Sequence, residues 1–173
     1  MSEKVRVMLP EEEIDHRIRE LGEQISKDYE GESIFLVCIL KGASFFACEL
    51  AKRITVPVTI DFMATSSYGS GTVSTGEVKI KKDLDLPVAG RNVIIVEDII
   101  DSGHTFHFLE NLFKDRNAKS IRKCAMLDKA DRREVDVQMD YIGFSVPDAF
   151  MVGYGLDYDQ KYRNLPYIGI LDF

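Results

Sequence analysis

The sequence predicts an α/β domain with a mostly parallel central sheet flanked by helices. Two short unbroken apolar runs, residues 34–40 and 93–96, are typical of strands that are buried on both faces. Segments with helical spacing of apolar residues alternate with such strands, and this alternation favours a parallel sheet covered by helices. The length of 173 residues suits one domain, and no repeat or linker divides the chain.

The first helix is predicted to begin at Pro10. Proline suits the first turn of a helix, and the three glutamates that follow suit the positive end of the helix dipole. Gly31 suits the end of this helix. The apolar residues in between recur at helical spacing, and they are Ile14, Ile18, Leu21 and Ile25.

The remaining elements are predicted from the same patterns. Two further helices are expected over residues 43–53 and 104–116. Four further strands are expected over residues 56–65, 78–81, 120–127 and 140–146. Residues 66–76 are polar and contain three glycines, which favours a mobile loop.

Composition excludes several classes of protein. The 22 Lys and Arg against 29 Asp and Glu give a net charge of −7, which disfavours a protein whose main partner is nucleic acid. The three cysteines form no Cys-x-x-Cys pair, so a disulfide framework is not expected and a reducing compartment is. We find no signal peptide and no apolar run near the ~20 residues that a membrane helix needs, so a cytoplasmic location is expected.

The segment 93–105 carries the chemistry. A buried strand leads into two adjacent carboxylates, Glu97 and Asp98, and then into a small polar turn before a helix. Small residues in this turn can bring backbone N–H groups together at the helix N-terminus, which is a site for an anion such as phosphate. The turn is not a P-loop, and no G-x-G-x-x-G follows a strand.

The carboxylates need a partner other than phosphate, which they would repel. A sugar diol and a hard cation such as Mg²⁺ both fit them. A ligand with a ribose diol, a phosphate and Mg²⁺ would therefore satisfy the whole segment, at the strand ends where open α/β sheets bind ligands. The alternative is a solvated strand end followed by a helix capped by Asp101 or Ser102.

This segment resembles the phosphoribosyl-pyrophosphate signature of the purine phosphoribosyltransferases, and the resemblance continues over residues 10–173. Leu40-Lys41-Gly42 resembles the pyrophosphate loop of that family, and Ser67-Tyr68 with residues 74–76 resembles its flexible catalytic loop. Lys129, residues 150–158 and Arg163 match its hypoxanthine–guanine branch. The resemblance implies a type I phosphoribosyltransferase fold as one domain over residues 1–173, with a small hood formed by the N-terminal and C-terminal segments.

The resemblance also implies roles for individual residues. Asp101 would be the catalytic general base or acid. The 5′-phosphate and ribose would be held by Glu97, Asp98, Asp101, Ser102, Gly103, His104 and Thr105. Pyrophosphate would be held by Lys41, Gly42 and Arg163, and the purine by Lys129, Phe150, Met151 and Asp157. Mg²⁺ would be held by Glu97 and Asp98, and a second Mg²⁺ by Asp157, while Ser67 and Tyr68 would close over the reaction.

The activity that the resemblance implies is purine salvage: transfer of the phosphoribosyl group to N9 of hypoxanthine, with guanine as the expected second base, giving IMP or GMP and pyrophosphate. A homodimer or homotetramer is expected, with no nucleic acid and no membrane as partner. Two rivals share the fold. An RNA-binding regulator would use a basic face, and residues 114–133 do carry eight Lys and Arg against three acids. An adenine or oxopyrimidine enzyme would lack the Lys129 and 150–157 arrangement.

Overall fold

The computed structural model describes residues 3–67 and 77–173. The helices within these residues are α1 (Glu11–Asp28), α2 (Ser44–Ala51) and α3 (His104–Asp115), and a short 3-10 helix spans Ala130–Arg132. The strands are β1 (Lys4–Leu9), β2 (Ile34–Leu40), β3 (Val58–Ser67), β4 (Val78–Lys82), β5 (Asn92–Ile100), β6 (Ser120–Asp128), β7 (Tyr141–Ser145), β8 (Met151–Val152) and β9 (Ile168–Asp172).

Six of these strands form the central sheet, in the order β4-β3-β2-β5-β6-β7. Strands β3, β2, β5, β6 and β7 run parallel, and β4 joins β3 antiparallel at one edge. The prediction of an α/β domain with a mostly parallel sheet is confirmed. Because the strands are parallel, all their carboxyl ends lie at one edge of the sheet, and the connections that follow them meet there.

The central strands are buried on both faces, as their unbroken apolar sequences predicted. Alternate residues of β2 contribute to two different apolar clusters, so its side chains pack against helices above and below the sheet. Leu36 lies in the cluster that contains α1 and α2, and Val37 lies in the cluster that contains α3. The two layers fix the position of β2 and β5 relative to the helix that begins at His104.

A second, small sheet is built from the two ends of the chain. Its order is β1-β9-β8, with both pairs antiparallel. We call this sheet, with the connection 153–167, the hood; the resemblance placed a hood in these terminal segments. Neither β1 nor β8 was predicted from the sequence pattern. Strand β1 is largely exposed and β8 has two residues, so neither carries a clear periodic signal.

Strand β5 is longer than predicted. The apolar run ends at Val96, but pairing with β6 continues from Glu97 opposite Ala125 to Ile100 opposite Asp128. The two carboxylates therefore lie inside a strand rather than after it. Of the helices described here, none is both long and apolar enough to cross a membrane.

Candidate active site

The predicted site residues gather at the carboxyl edge of the central sheet. Lys41 and Gly42 follow β2, the turn from Asp101 follows β5, and Lys129 follows β6. The hood supplies residues 151–163 on the same side, since Gly155 packs directly against Gly42, and Phe150 directly precedes them. Parallel strands thus bring together groups that are far apart in the sequence.

The turn between β5 and α3 forms a cradle of small residues. Gly103, just before the helix, has φ +92°, and a Cβ there would lie 3.1 Å from side-chain carbons of both Val135 and Val137. Glycine is therefore required both by the backbone conformation and by the packing. A small cavity of about 70 Å³ opens at this turn, lined by Glu97, Ile99, Ile100, Asp101, Ser102, Gly103, Thr105 and Phe106.

The cradle combines the first N–H groups of α3 with the positive end of the helix dipole, so it suits an anion. Its outer side is held by the segment after the 3-10 helix: the backbone N–H groups of Glu134 and Val135 donate to Ser102 O at 2.9 and 3.1 Å. Nε2 of His104 lies 2.7 Å from Oε2 of Glu134. The His104 side chain thus has a protein partner, which the sequence did not indicate.

The carboxylates of Glu97 and Asp98 form a partly buried pair at the end of β5. Burial, together with the neighbouring charge of Asp98, raises the pKa of Glu97 well above its ordinary value. Burial also raises the pKa of Asp98, although the N–H of Ile99, which donates to Oδ1 at 2.7 Å, and the charge of Arg163 act in the opposite direction.

Two oxygen-donor groups that repel each other in this way suit a hard divalent cation, which would relieve their repulsion. Such an ion is commonly held by one or two carboxylates, with water and ligand oxygens completing its coordination. Within residues 3–67 and 77–173, no third His, Cys, Asp or Glu joins the pair in a metal-binding cluster.

Gly42 lies between the carboxylate pair and the hood. A Cβ on Gly42 would lie 1.9 Å from Oδ2 of Asp98, and a Cβ on Gly155 would lie 2.2 Å from the carbonyl oxygen of Gly42. The peptide bond between Leu40 and Lys41 is cis. The loop therefore contacts Asp98 on one side and the hood on the other with no room for a side chain.

Gln160 bridges two cationic side chains. Its Oε1 accepts hydrogen bonds from Lys41 Nζ at 3.4 Å and from Arg163 Nη2 at 3.0 Å. Arg163 also donates to Gly155 O at 2.7 Å and lies 3.3 Å from Oδ1 of Asp157. The expected pyrophosphate cations thus lie together, and Asp157 is an ion-pair partner of one of them.

The side chain of Asp101 lies next to the segment that carries Lys129. Nε of Arg132 donates to Oδ1 of Asp101 at 2.8 Å. Arg132 Nη1 also lies 3.4 Å from Oδ1 of Asp148, and the same oxygen is 3.9 Å from Lys129 Nζ. Four charged side chains therefore form a series of neighbouring ion pairs that links the expected base-reading lysine to the expected catalytic carboxylate.

An aromatic cluster lies beside the β8 strand. Phe150 packs edge-to-face on Tyr158 and Phe173, with ring centroids 5.5 and 6.0 Å away. The Phe150 side chain is 45% exposed, so part of its ring surface remains open to a planar ligand. Met151 follows in β8, where it is buried and pairs with Ile170, so its contribution to a ligand site would come from the backbone.

A family model for the phosphoribosyl transferase domain matches residues 10–159. The chain belongs to this family. A hypoxanthine-guanine phosphoribosyltransferase of Streptococcus thermophilus is 51% identical over 166 residues, which are 96% of this chain and 92% of that protein. A hypoxanthine phosphoribosyltransferase of Buchnera aphidicola is 51% identical over 175 residues, 100% of this chain and 99% of that protein.

The structural comparison agrees with the sequence comparison. A crystal structure of a hypoxanthine-guanine phosphoribosyltransferase from Bacillus anthracis has a TM-score of 0.93 and 47% identity, over 96% of this chain and 99% of that chain. The type I phosphoribosyltransferase fold that the resemblance implied is confirmed, and the protein is a transferase.

Not all residues expected at the site lie together or within the described residues. Asp157, expected to hold a second Mg²⁺, forms no cluster with Glu97 and Asp98 within the described residues and lies 3.3 Å from Arg163 instead. Ser67 is the last residue of β3, while Tyr68 and residues 74–76 lie outside the described residues.

The structure adds candidate residues to which the sequence gave no individual role, and they are Arg132, Asp148, Tyr158, Gln160 and Phe173. Each contacts a side chain expected at the site or a neighbour of one. Two of them carried a sequence signal: Arg132 lies in the basic stretch 114–133, and Tyr158 ends the segment 150–158 that carries the resemblance.

Proposed function

We propose that this phosphoribosyltransferase transfers the 5-phosphoribosyl group from phosphoribosyl pyrophosphate to N9 of hypoxanthine, and of guanine as a second base, with Mg²⁺ as cofactor. The products are IMP or GMP and pyrophosphate, and the pathway is purine salvage. The observation that carries this proposal is the meeting, at one sheet edge, of the Gly103 anion cradle, the Glu97–Asp98 pair and the Lys41–Arg163 cations. The names of the relatives support it.

The phosphate cradle would fix the substrate at its 5′ end. N–H groups from Ser102 to Thr105 would donate to the 5′-phosphate, and the α3 dipole would favour its charge. Glu97 and Asp98 would accept hydrogen bonds from the ribose hydroxyls or hold Mg²⁺ beside them. Bound Mg²⁺ would neutralise charge that develops on the leaving pyrophosphate.

The leaving group would be held from the opposite side. The C1–O bond to pyrophosphate breaks as the C1–N9 bond forms, and the electron pair leaves with the pyrophosphate oxygen. Lys41, the Gly42 backbone and Arg163 would bind that group, after Gln160 gives up its bonds to both cations. If Asp157 holds a second Mg²⁺, it must likewise release Arg163, from which it is 3.3 Å away.

The purine would be read by three segments. Lys129 would donate to the 6-oxo group, which selects hypoxanthine and guanine over adenine, whose 6-amino group does not accept such a bond. Phe150 would stack on the base, and the backbones of Met151 and Asp157 would contact its pyrimidine edge. Asp101 would accept the proton that the purine loses.

The rest of the proposal follows the sequence analysis. Ser67 and Tyr68 would belong to a loop that closes over the reaction and excludes water, which prevents hydrolysis of the substrate. The enzyme would form a homodimer or homotetramer and would act in the cytoplasm on small molecules alone.

The deciding experiment supplies phosphoribosyl pyrophosphate, Mg²⁺ and one base at a time: hypoxanthine, guanine, xanthine or adenine. We expect nucleotide and pyrophosphate from hypoxanthine, and none when EDTA replaces Mg²⁺. The variant Asp101→Asn should lose activity mainly in kcat, whereas Asp115→Asn, at the exposed far end of α3, serves as the matched control. Absence of nucleotide from every 6-oxopurine would refute the proposal.

A further inference from the structure

Arg132 stands between the two carboxylates that flank the proposed reaction site. The 3-10 helix turns the chain after Lys129, and the N–H of Arg132 donates to Lys129 O at 3.0 Å. After this turn, Nε of the guanidinium donates to Oδ1 of Asp101 at 2.8 Å, and Nη1 lies 3.4 Å from Oδ1 of Asp148. Oδ1 of Asp148 is also 3.9 Å from Lys129 Nζ.

These contacts are the kind that rearranges at little cost. The side chains of Arg132, Asp101 and Asp148 are each about half exposed, and ion pairs at such sites contribute little to stability. Their electrostatic influence on each other persists, because the charged atoms are within 4 Å. A redistribution of Arg132 between its two partners would therefore release the Asp101 carboxylate without disturbing the fold.

We propose that Arg132 is a positioning residue for Asp101, and that Asp148 couples it to the purine-reading Lys129. Without a purine, Lys129 and Arg132 share Asp148, and Arg132 also holds Asp101 in place. When a 6-oxopurine accepts a hydrogen bond from Lys129, Asp148 is left to Arg132. The guanidinium then moves from Asp101 toward Asp148.

The consequence is that the Asp101 carboxylate is released toward the purine only when the base is bound. Asp101, freed from a cation, takes the purine proton as the C1–N9 bond forms and the C1–O bond breaks, and the electron pair leaves with pyrophosphate. This inference rests on the proposed function, since it assigns Arg132 and Asp148 within the same site.

Glu97 lines the same small cavity as Asp101, and the charged residues that directly follow Arg132 and that begin α3 have partners of their own. Arg133 pairs with Asp128 and donates to the Asp101 carbonyl at 3.3 Å, and Glu134 pairs with His104. Arg132 is the cation in direct contact with the Asp101 carboxylate.

The test is how the effect of each variant divides between kcat and KM for hypoxanthine. Arg132→Gln leaves Asp101 without the side chain that holds it, so kcat should fall roughly tenfold while KM changes little. Arg132→Lys keeps the charge and should recover most of the wild-type kcat. Asp148→Asn leaves Arg132 on Asp101 when the purine is bound, so it should also lower kcat, and the double variant should lose no more than the worse single variant.

A merely structural role would lower Tm together with kcat, and the double variant would then lose the product of the two single effects. The matched control is Arg116→Gln, which removes another partly exposed arginine paired with an aspartate, Asp83, outside the site. An active wild type whose Arg132→Gln variant keeps kcat within twofold, or whose double variant loses the product of the two single effects, would overturn this inference. An inactive wild type would instead overturn the proposed function. Circular dichroism confirms that each variant is folded before its kinetics are measured.

Discussion

Gly42→Ala tests whether the position of the Asp98 carboxylate matters to the reaction. The new Cβ would lie 1.9 Å from Oδ2 of Asp98, whereas Cβ atoms essentially never approach another atom closer than 3.0 Å, so the carboxylate must move by about 1.1 Å. The loop has little room to retreat, because the Gly42 carbonyl packs against Gly155. Gly42 has no positive φ, so the substitution adds a steric clash without backbone strain.

The expected loss is about 100-fold in kcat/KM for phosphoribosyl pyrophosphate, roughly 2.7 kcal/mol of transition-state stabilisation, since displacing a reacting or cation-binding group by ~1 Å costs about that much. Initial rates of IMP formation over a range of Mg²⁺ and phosphoribosyl pyrophosphate concentrations measure it. The Mg²⁺ concentration for half-maximal rate should rise as well, because Asp98 is a proposed ligand.

Two further variants separate this effect from general destabilisation. Gly90→Ala places a Cβ in open space at φ +72°, so it should cost roughly 1 kcal/mol of stability and leave kcat/KM unchanged. In the double variant with Gly42→Ala and Asp98→Ala, the clashing carboxylate is gone and the Cβ at position 98 lies 3.4 Å from the new Cβ. The Tm of the double variant should therefore recover, although its activity should not. If Gly42→Ala alone keeps kcat/KM within threefold of wild type, the carboxylate position is not what the reaction requires.

Three other predictions concern the same sheet edge. Burial and the charge of Asp98 raise the pKa of Glu97, so the apoprotein in EDTA should lose stability as pH rises from the ordinary carboxyl pKa through the raised one. Glu97→Gln should remove that loss, as measured by urea unfolding at pH 4.5 and pH 8. If the urea midpoint of Glu97→Gln differs from that of wild type by the same amount at both pH values, this prediction is wrong. Lys129→Ala should reduce the preference for hypoxanthine over adenine by roughly 10- to 100-fold in kcat/KM, and an unchanged preference would remove the lysine from base reading. Phe150→Ala should raise KM for the base about tenfold with a smaller change in kcat, because it removes the stacking surface. Phe150→Tyr keeps that surface, so its KM should stay near the wild-type value. Equal KM values in the two variants would argue against stacking.

The sequence predicted those parts of the fold that local pattern determines. Strand β2 was predicted at its observed bounds, because seven consecutive apolar residues suit a strand buried on both faces and little else of that length. The first helix began within one residue of its predicted start. Strand β1 was missed because it is stabilised by pairing with β9, more than 150 residues away, rather than by its own periodicity.

The candidate site likewise contains residues that local sequence indicates and residues that only distant contacts reveal. Gly103 and the carboxylates of β5 were recognisable because their chemistry is contained in one continuous segment. Arg132 and Gln160 were not, because their importance depends on which side chains from other segments lie beside them. Sequence reasoning can therefore propose groups that carry their own chemistry, whereas groups such as Arg132 and Gln160 become candidates only through their contacts in the folded chain.

The basic stretch 114–133 can now be weighed against the RNA-binding alternative. A nucleic-acid surface needs unpaired cations on one face, because its affinity comes from neutralising phosphates. Five of the cations instead pair with acids: Arg116 with Asp83, Lys119 with Glu32, Arg122 with Asp28, and both Lys114 and Lys123 with Glu110. The last three, Lys129, Arg132 and Arg133, contact Asp148, Asp101 and Asp128 at the carboxyl edge of the sheet. The stretch is therefore two groups of paired charges rather than one basic face, which disfavours the RNA-binding alternative.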